Sequence, residues 1–412
     1  MSNNDTPRPL PPHMRLAPAL AALALTAPVA HAARIDGRYG NDGYASSNVI
    51  TDGTAMWLDG GGRVLVAGDG GGGPGVLRLT ASGRHDTRFG RTGGVAVSGY
   101  NGFATPFGVR RGRDGVIRVA ALGESFAPPA VLTRFGPGGA RLSVREHRRA
   151  LGDPGVEPLA GVQRPDGGAY VLGANGQLRA INKAAGTDTR FAGGTVQAAE
   201  RIEPFGFPVA LALRRNGRLL VALRDGNGNA LLQYTRRGRR DRRFGTNGRA
   251  SLPFAPEALE VLRNGDVVGA AGTANRLARV FRLTARGRLR ASFGAGGIAA
   301  SRTARGGGDV SDIVADRRGR LFVLAYHASS ANSAVAAFRR NGTRLASFGP
   351  QGARFLPAAP SGERNLANRL LLDGRRGLLV AGSRQVYVCD DRQDLSDCGF
   401  FPDSLAVWRI RL

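Results

Sequence analysis

The sequence predicts an all-β fold: a seven-bladed β-propeller with four antiparallel strands per blade, forming a single domain over residues 33–412. Three observations carry that prediction. One apolar motif recurs seven times, each copy follows a glycine turn, and the two ends of the chain hold complementary parts of one repeat.

The motif ends in Val-Ala-Gly or a relative of it, at residues 64–68, 117–121, 169–173, 219–223, 267–271, 321–325 and 378–382. Successive copies start 48 to 57 residues apart, a spacing that fits one propeller blade. The preceding turns are Gly60-Gly61-Gly62, Asp114-Gly115, Asp166-Gly167-Gly168, Asn216-Gly217, Asn264-Gly265, Arg318-Gly319 and Arg376-Gly377. Asx-Gly and Gly-Gly between apolar runs mark hairpins, because the central residues need positive φ. A third strand follows in several repeats, at 76–79, 131–135, 231–234, 280–283 and 335–338. No window outside the N-terminal leader holds a helical period. A two-domain β-sandwich would not produce one period running through the whole chain.

The ends complement each other. Residues 405–412 read as a third strand with no fourth after it, and residues 34–40 carry a fourth-strand motif with no third before it. Their pairing is predicted to complete the last blade and to remove the open edges of an unclosed array.

Residues 1–32 read as a signal peptide. Met14 and Arg15 precede a run of Ala, Leu, Pro and Val, and Ala30-His31-Ala32 has the small-x-small form of a cleavage site. The expected setting is therefore exported, periplasmic or extracellular. No other apolar segment is long enough for a transmembrane span. A monomer is expected.

The stretch at 83–97 shows the fourth-strand element in full: Gly, a polar turn, Asp86, Phe89, Gly90, then a short apolar strand. Partial copies hold Asp36, Tyr39 and Gly40; Asp188 and Phe191; Asp241, Phe244 and Gly245; Phe293 and Gly294; Phe348 and Gly349. The repeat after Phe135 lacks it. The aromatic is expected to anchor one sheet against the next, the Gly to permit a bend, and the Asp to bond amides in the turn. This Asp-x-x-Phe-Gly-x-x-Gly pattern resembles the delta-60 repeat family of bacterial exported proteins. The resemblance covers essentially all of residues 34–412. It implies a β-propeller and an exported setting, and it brings no catalytic residue to transfer.

Chemistry is harder to find. His85, His147 and His327 stand in no metal-ligand spacing. The glycine run at 68–73 leads into a strand where a dinucleotide loop needs a helix. No Gly-x-Ser-x-Gly elbow or His-Glu-x-x-His helix is present. Carboxylates distant in sequence could still converge in a central channel. Cys389 and Cys398, the only cysteines, are expected to form a disulfide in an exported chain. Asp390, Asp391, Asp394 and Asp397 lie between them and leave calcium open as a cofactor, although their spacing matches no known calcium loop; no other cofactor is expected.

The net charge is +27, carried almost entirely by arginine. Coding-sequence bias produces the same preference, so charge alone names no partner. Position says more. Arg110 and Arg111, Arg214 and Arg215, and Arg317 and Arg318 crowd the turn between strands one and two. Arg84 and Arg88, Arg236, Arg237, Arg239 and Arg240, and Arg339 and Arg340 crowd the turn after strand three. Turns two strands apart lie at one end of an up-and-down sheet, so these arginines are expected to form one cationic face. The favoured expectation is a non-enzymatic binding or scaffold propeller whose arginine face takes an anionic polymer such as lipopolysaccharide, envelope glycan or nucleic acid. The alternatives are docking to another envelope protein through the longer loops of the opposite face, and a hydrolase or lyase with a channel site.

Overall fold

The computed structural model describes residues 33–412, apart from 42, 72, 91–92, 101, 103, 124–129, 148–157, 199–209, 274–275, 302–307, 328–331, 361–362, 375 and 389–398. Two short strands open the described chain, β1 (Arg34–Ile35) and β2 (Tyr44–Ser47). Four antiparallel four-stranded sheets follow in sequence order. The first holds β3 (Thr51–Asp59), β4 (Arg63–Asp69), β5 (Pro74–Leu79) and β6 (Val95–Val97). The second holds β7 (Ala104–Arg111), β8 (Ile117–Gly123), β9 (Val131–Phe135) and β10 (Arg141–Glu146). The third holds β11 (Pro158–Gln163), β12 (Ala169–Gly173), β13 (Gln177–Ile181) and β14 (Thr195–Gln197); the fourth holds β15 (Ala210–Leu213), β16 (Leu219–Asp225), β17 (Gly228–Tyr234) and β18 (Arg249–Ser251).

The remaining eleven strands join with β1 and β2 in one 13-stranded sheet. It contains β19 (Ala258–Val261), β20 (Val267–Thr273), β21 (Arg276–Leu283) and β22 (Ile298–Ala300), then β23 (Gly308–Ala315), β24 (Leu321–His327), β25 (Asn332–Phe338) and β26 (Ala353–Phe355). β27 (Glu363–Asp373), β28 (Gly377–Val388) and β29 (Gly399–Arg411) complete it. Single residue pairs, Thr273 with Gly308 and Asn332 with Asn365, link the three groups. The outer partners of β29 are β1 and β2: Arg34 faces Arg411, and Tyr44 faces Trp408. The fold is all-β and propeller-like, and among the described residues no helix is long and apolar enough to cross a membrane.

Core formation follows from the repeat. The Val-Ala-Gly strands are the second of each group and are buried on both faces, so they read as unbroken apolar runs. Their side chains pack against those of the neighbouring sheets; Ala55, Leu65 and Val76, for example, share one cluster with Val109, Val119 and Phe135.

The fourth-strand element is a corner rather than a strand. After β5, an isolated bridge joins Leu79 to His85, the chain turns through Asp86 and Phe89, and only Val95–Val97 is extended. Asp86 Oδ1 accepts the Arg88 amide at 3.3 Å, and Asp36, Asp188 and Asp241 do the same two residues downstream. Tyr39, Phe89, Phe191, Phe244, Phe293 and Phe348 are all buried. The residue after the aromatic then donates its amide to the next group's turn after strand three. Gly40 reaches Ser82 O and Gly90 reaches Gly138 O, each at 2.8 Å; Ala192 reaches Arg237 O at 3.0 Å; Gly245 and Gly294 reach Arg286 O and Asn341 O at 2.8 Å. At the end of this series Ala33 N donates to Ser347 O at 3.3 Å.

An arginine reinforces several of these stitches. Arg78 on β5 pairs with Asp86 at 3.0 Å, stacks 4.6 Å from the Phe89 ring and donates to Pro137 O at 2.8 Å. Arg282 on β21 pairs with Asp266 and reaches Arg340 O, while Arg409 on β29 pairs with Asp373 and reaches Ala81 O. Burial opposes the charge on Asp86, but Arg78 and Arg88 outweigh it and hold its carboxyl below the usual range. Arg236 Nε also donates to Asn216 O, which ties the turn after strand three to the turn between strands one and two of its own sheet.

Candidate functional site between the first strands

The first strand of each group lines a channel, and five of these strands are irregular at the same level. Against its strand-two partner, the register slips between Thr51 and Ala55 in β3, Pro106 and Gly108 in β7, Pro158 and Ala160 in β11, Val310 and Asp312 in β23, and Ala367 and Arg369 in β27. A bulge removes one residue from the ladder and re-aims its side chain. The residues passed over, among them Asp52, Thr54, Phe107, Leu159, Ser311 and Asn368, line a cavity of about 480 Å³.

This cavity gathers carboxylates in an otherwise basic protein. Asp52, Glu257 and Asp312 line it, with Arg369 the one cationic lining residue among those described. Glu257 Oε2 accepts the amides of Gly272 and Val310, Asp312 Oδ2 accepts Leu370 N at 2.8 Å, and Asp52 Oδ1 accepts Asn368 Nδ2. Arg369 Nε donates to Thr54 O. Apart from the Gly272 bond, which stays within its own group, these bonds link neighbouring groups: the lead-in to β19 with β23, β23 with β27, and β27 with β3. Burial pushes the carboxyls of Asp52, Glu257 and Asp312 upward despite them. Farther along, burial and then the Asp312 charge push Glu260 up to about 8.

The C-terminal ends of the first strands open into a wider recess of about 1250 Å³. Leu211 and Leu259 line both spaces, which therefore adjoin. Arg110, Arg164, Arg190, Arg214, Arg215, Arg236 and Arg237 line the recess with Trp57 and Tyr170. Arg110 stacks 4.6 Å from Trp57, and Arg164 lies 5.2 Å from Tyr170 while pairing with Asp188 at 2.6 Å. Thus the channel is acidic toward the start of the first strands and arginine-lined toward their ends.

Of the arginines expected on one face, the recess collects Arg110, Arg214, Arg215, Arg236 and Arg237. Gly319, between Arg318 and Arg320, packs against the Arg340 side chain, so those two turns also lie together. Arg84, Arg239, Arg317, Arg318 and Arg339 are exposed, and Arg88 is exposed while pairing with Asp86. Arg111 pairs with Asp59 at 2.8 Å, and Arg240 bonds the Tyr234 hydroxyl.

Arg214 corrects the expectation of a surface cation. It is 8% exposed, lies 5.6 Å from the Phe244 ring and donates to Gly265 O and Ala285 O. The reason is local: β17 carries Gln233 where β5 and β21 carry Arg78 and Arg282, and Gln233 reaches only Asp241, so Arg214 makes the bond to the next turn. Cys389 and Cys398, with Asp390, Asp391, Asp394 and Asp397, lie outside the described residues. Among the described residues, no group of three His, Cys, Asp or Glu side chains is arranged to hold a metal ion.

The channel carboxylates were not singled out in the sequence. Their one local signal is a polar residue inside an otherwise apolar first strand, as in Val310-Ser311-Asp312-Ile313. Arg164 and Arg190 were not singled out either; their signal is that Arg164 sits in the turn between strands one and two and Arg190, like Arg88, two residues after the corner Asp.

No protein-family model matches the chain, and no curated protein matches it. Solved structures do. Virginiamycin B lyase from Staphylococcus aureus aligns with a TM-score of 0.51 at 12% identity over 90% of this chain and 99% of that one. Raptor from Chaetomium thermophilum aligns with a TM-score of 0.53 at 10% identity over 90% of this chain and 29% of that chain. A structure described as the Dos1 propeller aligns at 0.46 and 10% identity over 89% of this chain and 94% of that one. At such identities the likeness of the first two shows the fold alone, in keeping with the propeller-like arrangement of the sheets.

Proposed function

We propose that the chain is an exported binding or scaffold propeller that takes an anionic polymer at its arginine-lined end. The observation that carries this reading is the recess, where arginines from three successive sheets surround about 1250 Å³ of open space beside Trp57. Exposed Arg215, Arg236 and Arg237 offer fork-like donors suited to phosphate or carboxylate groups. They sit in two turns of one sheet, and exposed Arg190 of the preceding sheet extends the patch, which suits a chain of anionic groups better than a single one.

The scaffold in this reading is a seven-bladed ring. Its support is the pairing of β1 and β2 with β29, and the stitches Gly40 to Ser82, Arg409 to Ala81 and Ala33 to Ser347, which join the last group to the groups on either side of it. Export rests on the leader sequence, and the resemblance to delta-60 repeat proteins points the same way.

The test is binding of a fluorescent phosphate polymer, a single-stranded oligonucleotide, and of purified lipopolysaccharide across a salt series. Binding should fall steeply and linearly on a log–log plot as counterions are released. Absence of binding at low salt, or binding indifferent to salt, would overturn the reading.

A further inference from the structure

We propose that the cavity walled by the bulged first strands is a binding site for a compact primary ammonium group, held by Asp52, Glu257 and Asp312 with the Thr54 hydroxyl as a further acceptor.

The cavity has the size and the charge for it. Its volume is about 480 Å³, and its lining carries three carboxylates against the single guanidinium of Arg369. Arg369 is already engaged by Thr54 O. In a chain with 58 basic and 31 acidic residues, composition alone would place arginine here rather than acid. The carboxylates come from three strands, β3, the lead-in to β19, and β23, and backbone amides or Asn368 fix at least one oxygen of each. They are therefore held in position before any ligand enters. Burial disfavours their charge, and an entering cation would relieve that cost.

Thr54 is the independent observation. It is 9% exposed, lines the cavity, and its Oγ1 is buried without a hydrogen-bond partner. The bulge turns it there. A Cβ on Gly53 would meet Leu405 and Ala381, whereas Ala55 packs with Leu65 and Val109 on the opposite side. Residues two apart on a regular strand share a face. Gly53 and Ala55 face opposite ways, so the pleat is broken at Thr54, within the slip between Thr51 and Ala55, and Thr54 there lines the cavity. A buried hydroxyl without a partner is costly, and a ligand N–H satisfies it.

An ammonium fits this arrangement better than a guanidinium. Its three donors radiate from one point toward acceptors on different strands. A guanidinium needs a carboxylate facing it in the plane of its fork.

The probe is n-butylammonium chloride titrated calorimetrically into the full chain, with n-butanol as the neutral control. The amine should bind at millimolar concentration and raise the melting temperature, and the alcohol should do neither. Thr54→Val should weaken amine binding roughly tenfold while raising the melting temperature of the free protein, because the hydroxyl it removes is buried without a partner. Asp312→Asn should weaken binding further, but it also disturbs the bond to Leu370, so Thr54→Val decides. Lack of amine binding, equal binding of n-butanol, or a Thr54→Val protein that binds as well as the parent overturns the proposal. Thr54 lies outside the arginine-lined recess, so the Thr54→Val comparison reads this site alone, and it and the anionic-polymer reading fail independently.

Discussion

Gly139 and Phe89 meet across the boundary between two sheets: a Cβ on Gly139 would lie 3.1 Å from the Phe89 ring and 2.5 Å from the Gly90 nitrogen. Gly83 stands in the same relation to Tyr39, Gly287 to Phe244 and Gly342 to Gly294, each with positive φ. Two sequence features that look separate, the aromatic-Gly corner and the glycine after strand three, are two sides of one joint. The sheet of β7 to β10 lacks the corner. In the next sheet the turn residue is Ala185, with φ +63°, and its neighbours are met by side chains instead: Arg145 donates to Ala184 O and the His147 ring bonds Ala185 O. A Cβ is tolerated at 185 because no aromatic corner comes up against it.

Glycine substitutions should therefore separate in sign. Gly139→Ala should destabilise by about 2–4 kcal/mol, combining left-handed strain with overlap at the Phe89 joint. Ala185→Gly should stabilise by about 1 kcal/mol by relieving the strain of positive φ. Urea unfolding of both proteins against the parent checks this; equal effects would remove the joint as the cause.

Truncating the corner aromatic should cost more. Phe89→Ala removes a fully buried ring and its stacking with Arg78, and a loss of about 3–5 kcal/mol is expected. Thermal unfolding measures it.

Acid should weaken the joints. Hydrogen bonds from Arg190 and Arg164 hold the Asp188 carboxyl well below its usual range, and Asp36, Asp86 and Asp266 are lowered by their arginine partners despite burial. A depressed folded-state pKa contributes stability above the unfolded value, near 3.8, that is lost as pH falls through the folded value. Stability should fall as pH drops below about 4, and Asp188→Asn should flatten that fall. An unchanged acid limb in the Asp188→Asn protein would count against the assignment.

Glu260 should act at the other end of the scale. Its folded-state value is raised from 4.5 to about 8, so its contribution is full below 4.5 and declines as pH rises toward about 8. Asp312 and Arg215 are the charged groups acting on it. Glu260→Gln should remove that decline and leave the protein more stable than the parent at pH 8. Melting temperatures from pH 5 to 8.5 in both proteins give the comparison.

For the anionic-polymer reading, replacing Arg236 and Arg237 by Gln should reduce the slope of log affinity against log salt by about 1 for each phosphate no longer neutralised. Arg317→Gln, at an exposed turn outside the recess, serves as the control. A slope unchanged in the double variant would place the polymer elsewhere on the protein.

The sequence by itself determined the repeat, the strand order within each repeat and the buried aromatic corner, because these depend on neighbours only a few residues away. Val-Ala-Gly runs, Asx-Gly turns and Asp86-x-x-Phe89-Gly90 specify local geometry wherever they occur. It also placed arginines in two kinds of turn, and up-and-down strand geometry puts such turns at one end of a sheet. Only the tertiary structure decided which arginines remain available and where the acids meet. Arg214 leaves the surface because Gln233, nineteen residues later, is too short to reach the next sheet. Asp52 and Asn368 touch although 316 positions separate them, and Thr54 and Asp312 come to line one cavity with Glu257, just ahead of β19, where the register slips by two residues in β3 and by one in β23. A one-residue slip changes which way a side chain points without changing the apolar pattern around it, so the channel was written in register rather than in composition.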